Sequence, residues 1–185
     1  MKTPNTPTMD LIEEHGGIML MLKIMEKVAD KLRKGETVKK EHLEKILEFL
    51  TNFADRCHHG KEEDMLFPEM CKNLSNKKLI NELLGEHKAA RDYIRGVADS
   101  IGKYEPDSSD AVHMALNMEG YIQLLTEHIT KENAVLFPIA NNELSEAKQE
   151  QMEGQFEKFE EEVIGVGKHE EYHGWLEELK KEYLG

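Results

Sequence analysis

Two stretches of this chain share one pattern, His-x-x-Lys-Glu-x-x-x-Leu-Phe-Pro. His58, Lys61, Glu62, Leu66, Phe67 and Pro68 recur 70 positions later as His128, Lys131, Glu132, Leu136, Phe137 and Pro138. A second match, Glu14-His15 with Glu86-His87, is offset by 72. On a helix, residues i and i+4 share a face one turn apart. His58/Glu62 and His128/Glu132 can therefore each aim an imidazole and a carboxylate at one point. With His15 and His87, that makes four imidazoles and two carboxylates. The chemistry is that of a cation site: such a mixed set suits Fe, and also Mn or Zn, whereas soft Cu(I) favours sulfur.

Helices must position these groups. Leu11, His15, Ile18, Leu22, Met25, Ala29 and Leu32 form a stripe at alternating spacings of four and three, the signature of a long helix packed at a shallow angle. Asp10 with Glu13 offers a capping-box start, and Gly35 offers a stop. A second stripe runs from Leu43 through His58, Glu62 and Met65 to Pro68. A third runs from Leu83 through His87 to Ile101. A fourth runs from Ala111 through His128, Glu132 and Val135 to Pro138. Proline removes a donor and crowds the preceding turn, so both prolines are expected to end their helices. No segment alternates with period two. The expected fold is all-α, an up-down-up-down four-helix bundle over residues 8–141.

The six groups lie on the apolar stripes and so face the bundle interior. Two carboxylates buried there unpaired would be costly, and a pair of cations removes the penalty. The two hairpins place one metal near each.

Residues 142–185 are expected to form a C-terminal helical extension. From Asn141 onward the chain holds 13 Glu and 5 Lys, so −8 of the net charge of −13 lies there. One helix is expected from about Ser145 to Val163 and another from about Lys168 to Leu184, broken at Gly165-Val166-Gly167. Their narrow apolar faces allow packing on the bundle, on a second copy or on a protein partner.

Acidity of this kind excludes a nucleic-acid binder, which needs a basic face, and docking on anionic lipid. The first ten residues lack the apolar stretch of an export signal. The longest apolar run, Ile18 to Leu22, is far too short to span a bilayer. Cys57 and Cys71 make no disulfide framework, and free thiols in a reducing cytoplasm are expected.

The two His-x3-Glu pairs with their Leu-Phe-Pro endings, together with His15 and His87, resemble the hemerythrin-like (HHE cation-binding) family over about Asp10 to Asn141. The resemblance implies a four-helix bundle around a non-haem di-iron centre, with two Fe ions and a solvent bridge. It implies His15, His58, His87 and His128 as nitrogen ligands, Glu62 and Glu132 as bridging carboxylates, and an open position for O2, NO or peroxide. Oxygen-carrying members have a further His one turn after the third-helix His. Here that position is Arg91, which leans away from reversible transport. The six-ligand set is more similar to the iron-centre repair members, but the paired-cysteine domain of those proteins is absent from this sequence.

Other residues carry two readings each. His59 follows His58 by about 100° on an α-helix and is either an added ligand or an outer residue. Lys61, Glu63 and Lys131 read as a solvated face. Tyr93 and Tyr121 either approach the site with a phenol or pack in the core. Cys57 reads as an inert buried thiol. The segment His169-Glu170-Glu171-Tyr172-His173 is literally the zinc-peptidase signature, but it lacks a cleft-bordering strand, so a protease is rejected. His169 or His173 either folds back onto the bundle as a ligand or gate, or stays on the surface of a packing helix.

Three functions share this frame: a binder or sensor of O2 or NO, a di-iron oxidoreductase acting on peroxide or NO, and an iron-handling protein in stress.

Overall fold

The computed structural model describes residues 6–185. The first five residues, on which the reading of an absent export signal partly rests, lie outside the described residues. Among the described residues there are six long helices and no strand. Helix α1 spans Pro7–Arg33, α2 residues 40–70, α3 Lys77–Ile101, α4 residues 109–143, α5 Glu146–Val163 and α6 Lys168–Tyr183. Helices α1 to α4 form the bundle. Among the described residues no helix is long and apolar enough to cross a membrane.

The helix starts are set by short polar caps. Ser108 accepts from the Ala111 amide and Ser145 from the Lys148 amide, satisfying donors that the first turn leaves open. The start of α1 differs from the expected Asp10–Glu13 box. Thr6 is the cap, accepting from the Met9 amide at 3.3 Å, and Pro7 takes the first turn, where its missing N–H costs nothing.

The prolines do not end their helices as expected. Glu62–Leu66 and Glu132–Leu136 are single wide turns of π type, and α-helix resumes at Phe67 and Phe137. Pro68 and Pro138 thus occupy the first turn of a renewed α-helical segment, where a proline is tolerated. The wide turn ahead relieves the crowding of the ring on the preceding carbonyls. The repeated Leu-Phe-Pro sequence produces the same irregularity twice, just after each glutamate of interest.

The core comes in two apolar clusters. The larger contains Ile18 to Leu32 of α1, Leu43 to Ala54 of α2, Ala90 to Ile101 of α3 and Ala111 to Ile129 of α4. The smaller contains Leu11, Leu66, Phe67, Leu83, Leu136 and Phe137. On α1, α2 and α3 the ionisable residues lie between the two clusters in sequence, and on α4 His128 and Glu132 flank Ile129, the last α4 residue of the larger cluster. A polar layer therefore divides the core.

The extension packs on the bundle. Tyr172, Leu176 and Leu179 of α6 join the larger cluster, and Met152 and Phe156 of α5 join the smaller one. Gly165 and Gly167 have φ of +95° and +80°, which glycine adopts without strain, and this turns α5 into α6. At Gly60 the absence of a Cβ matters: one built there would meet Cζ of Phe159 at 2.8 Å.

Candidate metal centre

Seven ionisable side chains meet in the polar layer: His15, His58, His59, Glu62, His87, His128 and Glu132. None is more than 2% exposed. Their ligand atoms fall into two groups that could each hold an ion, within 4.8 Å of one another. One contains His15, His58, Glu62 and Glu132, and the other His59, Glu62, His87 and His128. The first draws its imidazoles from α1 and α2. The second draws His87 and His128 from α3 and α4. Glu62 belongs to both.

The outer nitrogens of the five imidazoles are all held by side-chain acceptors. His15 Nδ1 lies 2.9 Å from Asn133 Oδ1, and His58 Nδ1 lies 2.7 Å from Glu14 Oε2. His59 Nδ1 lies 3.3 Å from Asp55 Oδ1, His87 Nδ1 2.7 Å from Glu63 Oε1, and His128 Nδ1 2.7 Å from Glu86 Oε2. An ionised carboxylate only accepts, so Nδ1 carries the proton and donates it. With Nδ1 engaged outward, Nε2 is the nitrogen aimed inward. This outer layer repeats as the inner one does: Glu14 corresponds to Glu86, and Glu63 to Asn133.

The inner atoms have no comparable partners. Nε2 of His15, His58 and His59, and both oxygens of Glu62 and Glu132, are buried without a hydrogen bond. Each carboxylate straddles two imidazoles. Glu62 Oε1 is 3.7 Å from His58 Nε2 and Oε2 is 3.4 Å from His87 Nε2. Glu132 Oε1 is 3.2 Å from His128 Nε2 and Oε2 is 3.3 Å from His15 Nε2. His87 and His128 bring their Nε2 atoms to 3.1 Å. Two carboxylates and several bare nitrogens facing one interior are costly to bury without a shared positive charge. The donor set, mixed imidazole and carboxylate, fits a cation such as Fe, Mn or Zn.

Electrostatics follow the same plan. Burial alone would raise the Glu132 carboxyl, but its contacts with His128 and His15 hold it below the usual range. Burial acts against charge on His128 too, yet Glu132 and Glu86 raise it to about 10. His59 differs. Burial, reinforced by His87, His58, His128 and Arg91, pushes it well below its ordinary value. It is the imidazole held neutral, the form that binds a metal.

His59 is buried because Phe49–His59 is wound as a π-helix. An i→i+5 closure places more residues in each turn, so neighbouring side chains diverge less than in an α-helix. Both His58 and His59 can then face inward. Its ring stacks on His87 with centroids 3.8 Å apart. The corresponding residue in α4 is Ile129, so the second hairpin has no such nitrogen. Arg91 stands outside the layer: its Nε meets Asp55 and an Nη meets Glu63, both at 2.8 Å. It anchors the carboxylates that orient His59 and His87.

Lys61 is not on a solvated face. It is 2% exposed and bonds Glu14 and Glu160. Glu63 is half-buried against His87 and Arg91. Lys131 bridges Glu82 and Glu86 near the surface. Tyr121 is fully buried with its hydroxyl unpartnered, and Tyr93 packs its ring against Gly120. Burial pushes the Cys57 thiol up to about 12, which keeps it unreactive. His169 and His173 fold back onto the bundle but stop outside the buried layer, beside Glu14 and Lys61. The carboxylates and amide gripping each Nδ1 were missed in the sequence. A signal did exist: Glu14 and Glu86 stand directly before His15 and His87 in the two repeats.

The family model described as Hemerythrin HHE cation binding domain matches residues 6–140. Among curated proteins, an uncharacterized protein of Mycobacterium bovis and another of Mycobacterium tuberculosis are each 22% identical over 167 residues. The match covers 89% of this chain and 65% of each relative, so the chain spans just under two thirds of their length. No solved structure matches.

Proposed function

The chain belongs to the hemerythrin HHE cation-binding family, and from that premise we propose that its buried layer holds two iron ions and binds or senses O2 or NO. The observation that carries this reading is the set of bare inward atoms. Five imidazoles have their outer nitrogens held, and two buried carboxylates lack any hydrogen bond. His15 and His58 would hold one ion, and His59, His87 and His128 the other, with Glu62 and Glu132 between them. A non-haem di-iron centre supplies open coordination positions at which a small diatomic molecule binds.

The protein's own contribution is orientation and exclusion. Glu14, Asp55, Glu63, Glu86 and Asn133 fix ring tautomer and direction, which raises ligand basicity. The apolar clusters on either side keep bulk water out. With Arg91 at the position of the carriers' extra histidine, His59 from α2 supplies a nitrogen to the second group instead.

The two free thiols suit a reducing cytoplasm.

Metal analysis and optical spectra of anaerobically purified protein, before and after O2, NO and H2O2, test the reading. The expected result is two irons per chain and a reversible spectral change with O2 or NO. Sustained turnover of peroxide or NO without a stable adduct would replace it with the oxidoreductase reading. Labile iron passing to an apo-acceptor would replace it with iron handling. Less than one metal per chain would overturn the centre itself.

A further inference from the structure

A second convergence of metal-binding side chains lies outside the buried centre, where the extension crosses the first hairpin. It encloses a cavity of about 240 Å³. Asp10 and Glu14 of α1 form one wall, Glu160 of α5 another, and His169 and His173 of α6 a third. Ligand atoms of Glu14, Glu160 and His169 lie within 4.8 Å of one another. The two histidines are one helical turn apart, with ring centroids separated by 4.7 Å. Three helices that are distant in sequence thus bring two carboxylates and an imidazole to one point.

The protein itself seats a positive charge there. Lys61 Nζ lies 2.5 Å from Glu14 Oε1 and 3.0 Å from Glu160 Oε2. The lining also includes Asp10 and Glu13. Burial, with Glu14, Glu153 and Glu13 adding and Lys61 opposing, raises the Asp10 carboxyl to about 6. The pocket is concave, acidic and equipped with nitrogen donors that the buried centre does not use.

We propose that this pocket is a third cation site, in which Glu14, Glu160 and His169 bind a divalent ion of the Zn2+ or Fe2+ class, with His173 beside them. Two carboxylate ligands and an imidazole suit such borderline ions, and three protein ligands with water in the remaining position are a common zinc arrangement. The ion and Lys61 compete for the same two carboxylates. Glu14 is shared with the buried layer, since its other oxygen holds His58. The remaining ligands belong to the extension, so the site exists only because the extension folds back. It does not depend on the buried centre holding iron.

Equilibrium dialysis of the full chain against Zn2+, followed by elemental analysis, tests this, with circular dichroism to verify folding. A Glu160→Ala/His169→Ala variant alters only half-buried positions of the extension and is expected to hold one zinc fewer than the parent. A Glu62→Ala/Glu132→Ala variant is expected to retain that zinc while losing those of the buried layer. Equal zinc in the parent and the Glu160/His169 variant overturns the proposal. Equal zinc in the parent and the Glu62/Glu132 variant, with the Glu160/His169 variant still one short, overturns the buried-centre reading and leaves the pocket site standing.

Discussion

Glu14 Oε2 lies 2.7 Å from Nδ1 of His58, a contact between two helices that fixes which nitrogen of the ring faces the core. The same contact recurs between Glu86 and His128. Metal-binding imidazoles commonly depend on such outer carboxylates, and removing one costs about 10- to 100-fold in affinity. Glu14→Ala and Glu86→Ala are each expected to weaken metal retention by that order. Competition with a chelator checks this. Retention equal to the parent would mean that ring orientation does not depend on these carboxylates.

Glu62 belongs to both ligand groups, whereas Glu132 belongs to one. Glu62→Ala is therefore expected to lose both metals, and Glu132→Ala to lose the one beside His15 and His58 and only weaken the one beside His128, which its other oxygen approaches at 3.2 Å. Counting metals per chain in the two variants decides the point. The reverse order would place the shared carboxylate on α4.

His59 has an apolar counterpart at the matching position, Ile129, which is itself buried. His59→Ile should keep the fold, because the other hairpin already accommodates this side chain. It should weaken one metal by about tenfold or more, the scale of a lost or misoriented ligand, and shift the optical spectrum. An unchanged spectrum would assign His59 to packing against His87.

Burial acts to raise the Glu14 carboxyl, but its bonds from His58 and Lys61 lower it from 4.5 to about 2. A folded-state value below the unfolded one stabilises the protein above the unfolded value. That stability is lost as pH falls through 4.5 toward 2. For a group this buried, the contribution is about 3 kcal/mol at most. The metal-free Glu14→Gln variant is expected to lose stability less steeply than the parent between about pH 5 and pH 2. Chemical denaturation across that range is the measurement. Parallel curves would remove Glu14 as a source of acid sensitivity.

Much of the buried layer was legible in the residues alone. A stripe of apolar side chains with His and Glu at i and i+4 admits only a helix with those groups facing inward. The 70-residue repeat implied that two such helices face each other. The outer contacts were not legible to the same degree. Glu14 and Glu86 were visible as a repeated pair, yet nothing local says that a carboxylate on one helix grips a histidine on the next. Lys61 was read as solvated because a lysine beside two acidic residues is normally so. It is buried because Phe156 and Glu160 of the extension lie over it.

The sequence by itself determined the periodicity, the repeat and the donor types, because each depends on spacing within a single helix. The tertiary structure alone decided three things. It wound Phe49–His59 widely enough to turn His59 inward. It paired each Nδ1 with an acceptor from a different helix in every case but His59. It laid the acidic extension over the first hairpin. These outcomes depend on packing between segments far apart in the chain, where the energy of a contact is set by geometry that no local pattern encodes.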